Sequence, residues 1–292
     1  MMLAVFERRT TGSVVCPSCG SLVGVRDDKC YSCGRANPGL WGFGPLLRQL
    51  GNDFGFVPLV IGACSIIFAL TLVASGSELQ LVGGGVMSLL SPSRRALLLF
   101  GMSGAYPVFV QGAWWTLLTA SWLHGNLIHI VFNMYWIRRF GPDCVELIGP
   151  SRTVIIYVVS GVAGFLLSST AGWLFAGLRI PFLSGGLLTM GASASVLGLL
   201  GAITHYGRTG GSRLIRDQAK QYIIWFIISG LIFPGTDNYA HLGGFLGGYG
   251  ASALMNPLAR ERGDHLIGAM VCLAATLLAL VYSVVSNIAL LG

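Results

Sequence analysis

A few polar side chains stand inside apolar stretches of this sequence, and their types and spacing could do chemistry. Ser193 lies in MGASASVLGLLGA, residues 190–202, with Gly191 two positions before it. His124, His129 and Asn133 lie in WWTLLTASWLHGNLIHIVFNMYW, and His241 lies in DNYAHLGGFLGGYG. A hydroxyl, an imidazole and further hydrogen-bond donors are the parts of a serine hydrolase, in which a base activates the nucleophile and donors stabilise the oxyanion. Ser193 is the candidate nucleophile and His241 the candidate base. His129 and Asn133 are four apart, share one helix face, and are candidate oxyanion donors. Ser195 points about 200° away from Ser193 around a helix, so only one of the two can face His241. Gly191 leaves room for a substrate backbone beside Ser193, which favours that serine. Asp237 is read as part of a short outer loop at the water boundary, so a Ser–His dyad without a third acid is expected. A metal site is the poorer reading: His124 and His129 stand about 140° apart on a helix, and no H-E-x-x-H occurs. The bland reading of Ser193 is a small residue for helix packing.

The elements that must position these groups are membrane helices. Of 292 residues, 54% are hydrophobic and 10% charged, against about 25% charged in soluble domains, and the mean hydropathy is +0.73. The expected fold is an all-α multi-pass membrane protein. Apolar segments lie at 56–74, 117–137, 153–176, 187–206, 219–234, 239–257 and 266–290, most of them within the roughly 17–25 residues that span a bilayer. With the N-terminus inside, only Arg94, Arg95 and Arg179 of the 18 Lys and Arg residues fall on outer segments, so positive charge marks the inner side and the C-terminus lies outside. That bias accounts for the net charge of +7 with no nucleic-acid partner. The second, fourth and sixth spans then run from outside to inside, which puts His124, Ser193 and His241 at similar outer depth. Ala194, Gly198 and Ala202 in the fourth span, and Ala240, Gly244, Gly248 and Ser252 in the sixth, form small-residue faces that let helices approach closely. His205 and His265 fall at inner helix ends and read as polar tips in the interface.

The first 50 or so residues are different: they carry charges and cysteines but no apolar run of signal-peptide type. Cys16, Cys19, Cys30 and Cys33 form C-x2-C-x10-C-x2-C. Two such knuckles can place four thiolates around a structural Zn2+, and an inner-face location disfavours disulfides. The site is closed and carries no catalysis. Cys64, Cys144 and Cys272 are scattered and read as ordinary apolar cysteines. The expected divisions are a zinc-ribbon-like domain at 1–36, a Gly- and aromatic-rich linker at 37–54 of interfacial character, a six-helix core at 55–260 and a seventh helix within 261–292.

Over about residues 55–260 the chain resembles the rhomboid family of intramembrane serine proteases. The resemblance rests on ordered motifs: H-x4-H-x3-N at His124, His129 and Asn133; G-x-S-x at Gly191 to Ala194; and A-H-x2-G-x3-G at Ala240, His241, Gly244 and Gly248. The tract FGPDCVELIGP resembles the family's turn after the second helix, with Glu146 in the acidic position. The resemblance implies a six-helix core with a seventh helix appended at the C-terminus, and an embedded first loop at about 75–114. It also implies Ser193 as nucleophile, His241 as general base, and an oxyanion held by His129, Asn133 and the Ser193 N–H, with His124 in support. Two positions depart from it. Thr116 stands where many relatives have an Arg that anchors the first loop, and Leu197 stands where many carry an aromatic against the catalytic histidine.

The expected function is therefore a serine endopeptidase that cleaves transmembrane protein substrates in the lipid bilayer near its outer face, without a catalytic cofactor. The alternative is a catalytically inactive rhomboid-like chaperone or binding protein for transmembrane helices. A transporter is disfavoured because the spans lack acidic residues and paired broken helices. The charge bias and lack of targeting signals point to a bacterial inner membrane.

Overall fold

The computed structural model describes residues 8–16, 20–44, 55–81, 88–175, 185–233 and 235–291. Strand β1 (Ser13–Val15) pairs antiparallel with β2 (Leu22–Gly24), with Val14 opposite Val23. Both valines are buried beside Cys16 and Cys30 in a small core of their own. The rest is helical: α1 (Phe56–Ser75), α2 (Arg94–Leu99), α3 (Thr116–Thr119), α4 (Leu127–Ile148), α5 (Pro150–Leu174), α6 (Ser193–Thr209), α7 (Arg213–Ile232), α8 (Asn238–Leu254) and α9 (Gly263–Ser286). Phe56–Glu78, α5 and α9 are each long and apolar enough to cross a membrane, so the chain is an integral membrane protein.

The two helices carrying Ser193 and His241, α6 and α8, have 17 residues each. That is about 26 Å of helix, short of the roughly 30 Å hydrocarbon core. Of the two, α6 can be short because other helices sheathe it along most of its length. The small-residue faces meet as expected. A Cβ on Gly244 of α8 would strike the Ala194 carbonyl, and one on Gly248 the Gly198 carbonyl. Gly164 of α5 lies under both: a Cβ there would stand 2.5 Å from the Ala240 carbonyl and 2.8 Å from Ala194 Cβ. Bare backbone is what lets α5, α6 and α8 close on one another.

The second span differs from its expected 117–137. The chain turns through α3 and a 3-10 turn at Ala120–Trp122, becomes extended, and starts α4 only at Leu127, with Asn126 as N-cap accepting from the His129 N–H at 2.7 Å. The tract read as a turn after this helix is helical through Pro142 to Ile148. A proline removes one helical hydrogen bond, but Phe140, Cys144, Val145 and Ile148 keep these turns buried. The helix stops at Gly149, whose φ of 107° no other residue adopts readily.

The first loop is anchored by hydroxyls rather than by an arginine. Thr116 Oγ1 donates to the Ala113 carbonyl (2.7 Å) and is in hydrogen-bond contact with Ser103 Oγ (3.1 Å), Thr119 Oγ1 donates to the Gly101 carbonyl (2.6 Å), and Ser283 of α9 to the Leu99 carbonyl (3.1 Å). His205 is also no interfacial tip: it is buried, 3.1 Å from Ser252 Oγ on α8 and edge-on to Tyr249. At the end of the bundle away from Ser193, the buried Glu261 carboxylate accepts the Arg152 N–H (2.9 Å) and lies 3.8 Å from Arg35. Arg260 donates to the Ser32 carbonyl. Together these tie the cysteine-bearing unit to the helices.

Candidate active site

Ser193 is the first residue of α6, where helix N–H groups have no partner within the helix. The turn before it is held by the Gly191 N–H donating to the Ala120 carbonyl at 2.9 Å. Gly191 has φ +128°, and a Cβ there would stand 2.6 Å from His129 Nε2 and 3.8 Å from Ser193 Oγ. Only glycine lets the imidazole of α4 come this close to the serine turn. His129 in turn receives the Gly125 N–H at Nδ1 (3.4 Å), and Asn133 Nδ2 donates to the His129 carbonyl (2.9 Å).

His241 sits in the first turn of α8. Its Nδ1 has no hydrogen-bond partner among the described residues, and the Phe226 ring of α7 faces it edge-on at 6.4 Å. Ser193, His241, His129 and Asn133 line one cavity of about 760 Å³ at this end of the bundle, together with Gly125 and Met190. The chain neighbours of the serine and the histidine, Ala194 and Ala240, converge on Gly164. The structure therefore gathers in one chamber a hydroxyl at a helix N-terminus, an imidazole and two further donors. Helix N-termini favour negative charge, so the arrangement suits a tetrahedral oxyanion.

Other residues fall differently from expectation. His124 precedes α4 instead of lying on it, so the helical angle to His129 does not apply. The two rings are 5.2 Å apart and T-shaped, and His124 is fully buried behind the cavity. Ser195 turns away from the chamber and donates to Ser121 Oγ (3.2 Å) in the core. Leu197 is buried, and the aromatic beside His241 comes from α7 instead. Asp237 ends the loop before α8 and is part-buried at the chamber wall, as expected, but it is not idle there. It caps α8, accepting from the Ala240 N–H (2.9 Å), the Ser168 hydroxyl (2.5 Å) and the Thr189 hydroxyl (2.5 Å). Ser168, Thr189 and Phe226 carried no sequence signal, since each is an ordinary residue in an apolar or loop segment.

A family model described as the Rhomboid domain matches residues 111–258, half of the chain. The chain belongs to the rhomboid family. Among curated rhomboid relatives, the chain is 30% identical over 171 residues to Rhomboid protease GluP of Bacillus subtilis, covering 57% of this chain and 31% of that protein. It is 35% identical over 149 residues to RHOMBOID-like protein 6, mitochondrial, of Arabidopsis thaliana, covering 49% and 45%. It is 28% identical over 243 residues to Rhomboid-like protease 1 of Toxoplasma gondii, covering 80% and 75%. The chain thus spans less than half the length of the first two. The matched rhomboid region contains every residue of the chamber named above and leaves out the cysteine cluster.

In that cluster the sulfur atoms of Cys16, Cys30 and Cys33 lie within 4.8 Å of one another, with Cys16 and Cys33 at 3.7 Å. Tetrahedral zinc with bonds near 2.3 Å separates its sulfurs by about 3.8 Å, so these three thiols fit a metal. Cys19, the fourth expected ligand, lies outside the described residues.

Proposed function

We propose that the protein is an intramembrane serine endopeptidase acting on transmembrane protein substrates, with Ser193 as nucleophile and His241 as general base. The observation that carries this reading is the single chamber lined by Ser193, His241, His129 and Asn133. Family membership and the relatives named as proteases support it. His241 takes the Ser193 proton as the hydroxyl attacks the scissile carbonyl. The oxyanion is held by His129, Asn133 and the N–H of Ser193 at the start of α6. His241 returns the proton to the leaving amine, and water from the chamber hydrolyses the acyl-enzyme. His124 supports the wall behind His129. The positive-inside asymmetry of the sequence supports an outward-facing chamber in a bacterial inner membrane. The test is a fluorophosphonate probe on protein in liposomes, read by mass spectrometry beside cleavage of a single-span substrate. The expected result is one adduct on Ser193 and loss of cleavage in proportion. A protein that neither cleaves nor labels is a helix-binding rhomboid relative instead.

Gly191→Ala is expected to slow this labelling by about 10²-fold, the scale of a 1 Å misplacement, while the protein remains folded. Its Cβ must displace the His129 ring and accept a strained φ. Unchanged labelling would remove Gly191 and His129 from the site.

We also assign Cys16, Cys19, Cys30 and Cys33 as ligands of one structural zinc. Elemental analysis is expected to give one zinc per chain, falling to none in Cys16→Ser. A metal content unchanged by that substitution refutes the assignment.

A further inference from the structure

Asp237 is engaged by more of the site's surroundings than any catalytic group is. One carboxylate oxygen caps the first turn of α8 through the Ala240 N–H. The other accepts two hydroxyls at 2.5 Å, Ser168 from α5 and Thr189 from the segment that leads into α6. Ser168 Oγ also receives the Gly186 N–H at 3.0 Å, so the start of that segment is gathered into the same knot. Thr189 in turn exchanges both backbone hydrogen bonds with Ser103 of the first loop, at 2.7 and 3.1 Å. Asp237 lies four residues before His241, and Thr189 four before Ser193. Both line the chamber.

The two proposed catalytic residues sit in the first turns of separate helices. Packing of Gly244 on Ala194 sets the distance between the helix axes. A carboxylate bonded to both helix starts adds a further constraint on how far each slides along or turns about its axis. We propose that Asp237 is a positioning residue, tying the turn that carries Ser193 to the turn that carries His241 through Thr189 and Ser168. The proposal rests on the protease reading above and adds a tether to it. The tether works through hydrogen bonds rather than charge. An asparagine can keep it, its carbonyl accepting from Ala240 and its amide donating to the two hydroxyls. An alanine cannot.

The experiment compares Asp237→Ala, Asp237→Asn, Thr189→Val and the double variant Asp237→Ala/Thr189→Val with wild type and Ser193→Ala. Cleavage of a single-span substrate in liposomes is resolved into kcat and KM, beside thermal unfolding. Asp237→Ala is expected to lower kcat by tenfold to hundredfold, with KM within about twofold. Thr189→Val, which removes one strand of the tether and no cap, lowers kcat in the same direction and keeps the proposal testable if Asp237→Ala does not fold. Asp237→Asn recovers to within about threefold of wild type, and the double variant is no slower than Asp237→Ala. An Asn variant as slow as Ala, additive losses in the double variant, or losses that vanish on cooling as the fold is restored would each overturn the tether. Wild type no more active than Ser193→Ala overturns the protease reading itself, a result distinct from an active enzyme indifferent to Asp237.

Discussion

Ser193→Ala and His241→Ala each lower cleavage of a single-span substrate by about 10⁴–10⁶-fold, and the double variant is no slower than the worse of the two. This is the largest effect expected on chemistry. In the proposed dyad the two groups act as one unit, in which the hydroxyl is a poor nucleophile until the imidazole takes its proton, so removing either removes nearly the whole contribution of both. Residual rate would come from the oxyanion donors and from substrate binding. The substitutions leave the fold in place for a structural reason. Ser193 begins a helix without any side-chain cap, and alanine is a good helix former. His241 Nδ1 has no partner among the described residues to orphan. Single-turnover cleavage in liposomes, with circular dichroism of the same samples, checks both halves. Either single variant retaining more than a hundredth of wild-type activity refutes the dyad.

Gly244→Val has the largest expected effect on structure, and it abolishes activity by a different route. The added Cβ would fall on the Ala194 backbone, with the carbonyl carbon at 2.7 Å and Cα at 3.0 Å. A flexible side chain could swing away from such an intrusion. Helical backbone cannot, so α8 must move off α6. Overpacking of a well-packed core costs about 1–3 kcal/mol or more, and the displaced helix is the one that holds His241 three residues earlier. A shift of about 1 Å there is enough for a 10²-fold loss of rate. The expected result is a lowered unfolding temperature in detergent together with at least that loss of cleavage. Gly250, on the same helix, has open space where its Cβ would be, so Gly250→Ala serves as the control. It is expected to leave cleavage unchanged and to stabilise the helix by up to about 1 kcal/mol. Equal behaviour of the two variants would show that backbone contact between α6 and α8 does not position the site.

Much of this protein was legible from residue types and periods alone. Apolar runs marked the three helices that are long and apolar enough to cross a membrane, because unpaired backbone in lipid leaves a spanning chain little choice but helix. Glycine and alanine every four residues marked the two helices that touch, because only small residues permit that approach. The C-x2-C pairs marked a cluster of thiols, and the ordered His, Asn and Ser motifs marked the family. Each of these signals is local or periodic, and so is readable from one strand of text.

What only the tertiary structure decided are the contacts between segments far apart in the chain. Asp237 reads as loop until Ser168 and Thr189, 69 and 48 residues away, are seen to bond it. Phe226 reads as one more apolar residue of α7 until its ring is found opposite His241. Helical geometry gives the wrong relation of His124 to His129, because the chain is extended at Leu123 and again at Asn126, the N-cap of α4. The hydroxyl anchors of the first loop and the buried Glu261 between Arg152 and Arg35 were equally silent. A hydrogen bond depends on where two groups end up in space, and neither residue type nor spacing encodes that until the helices have packed.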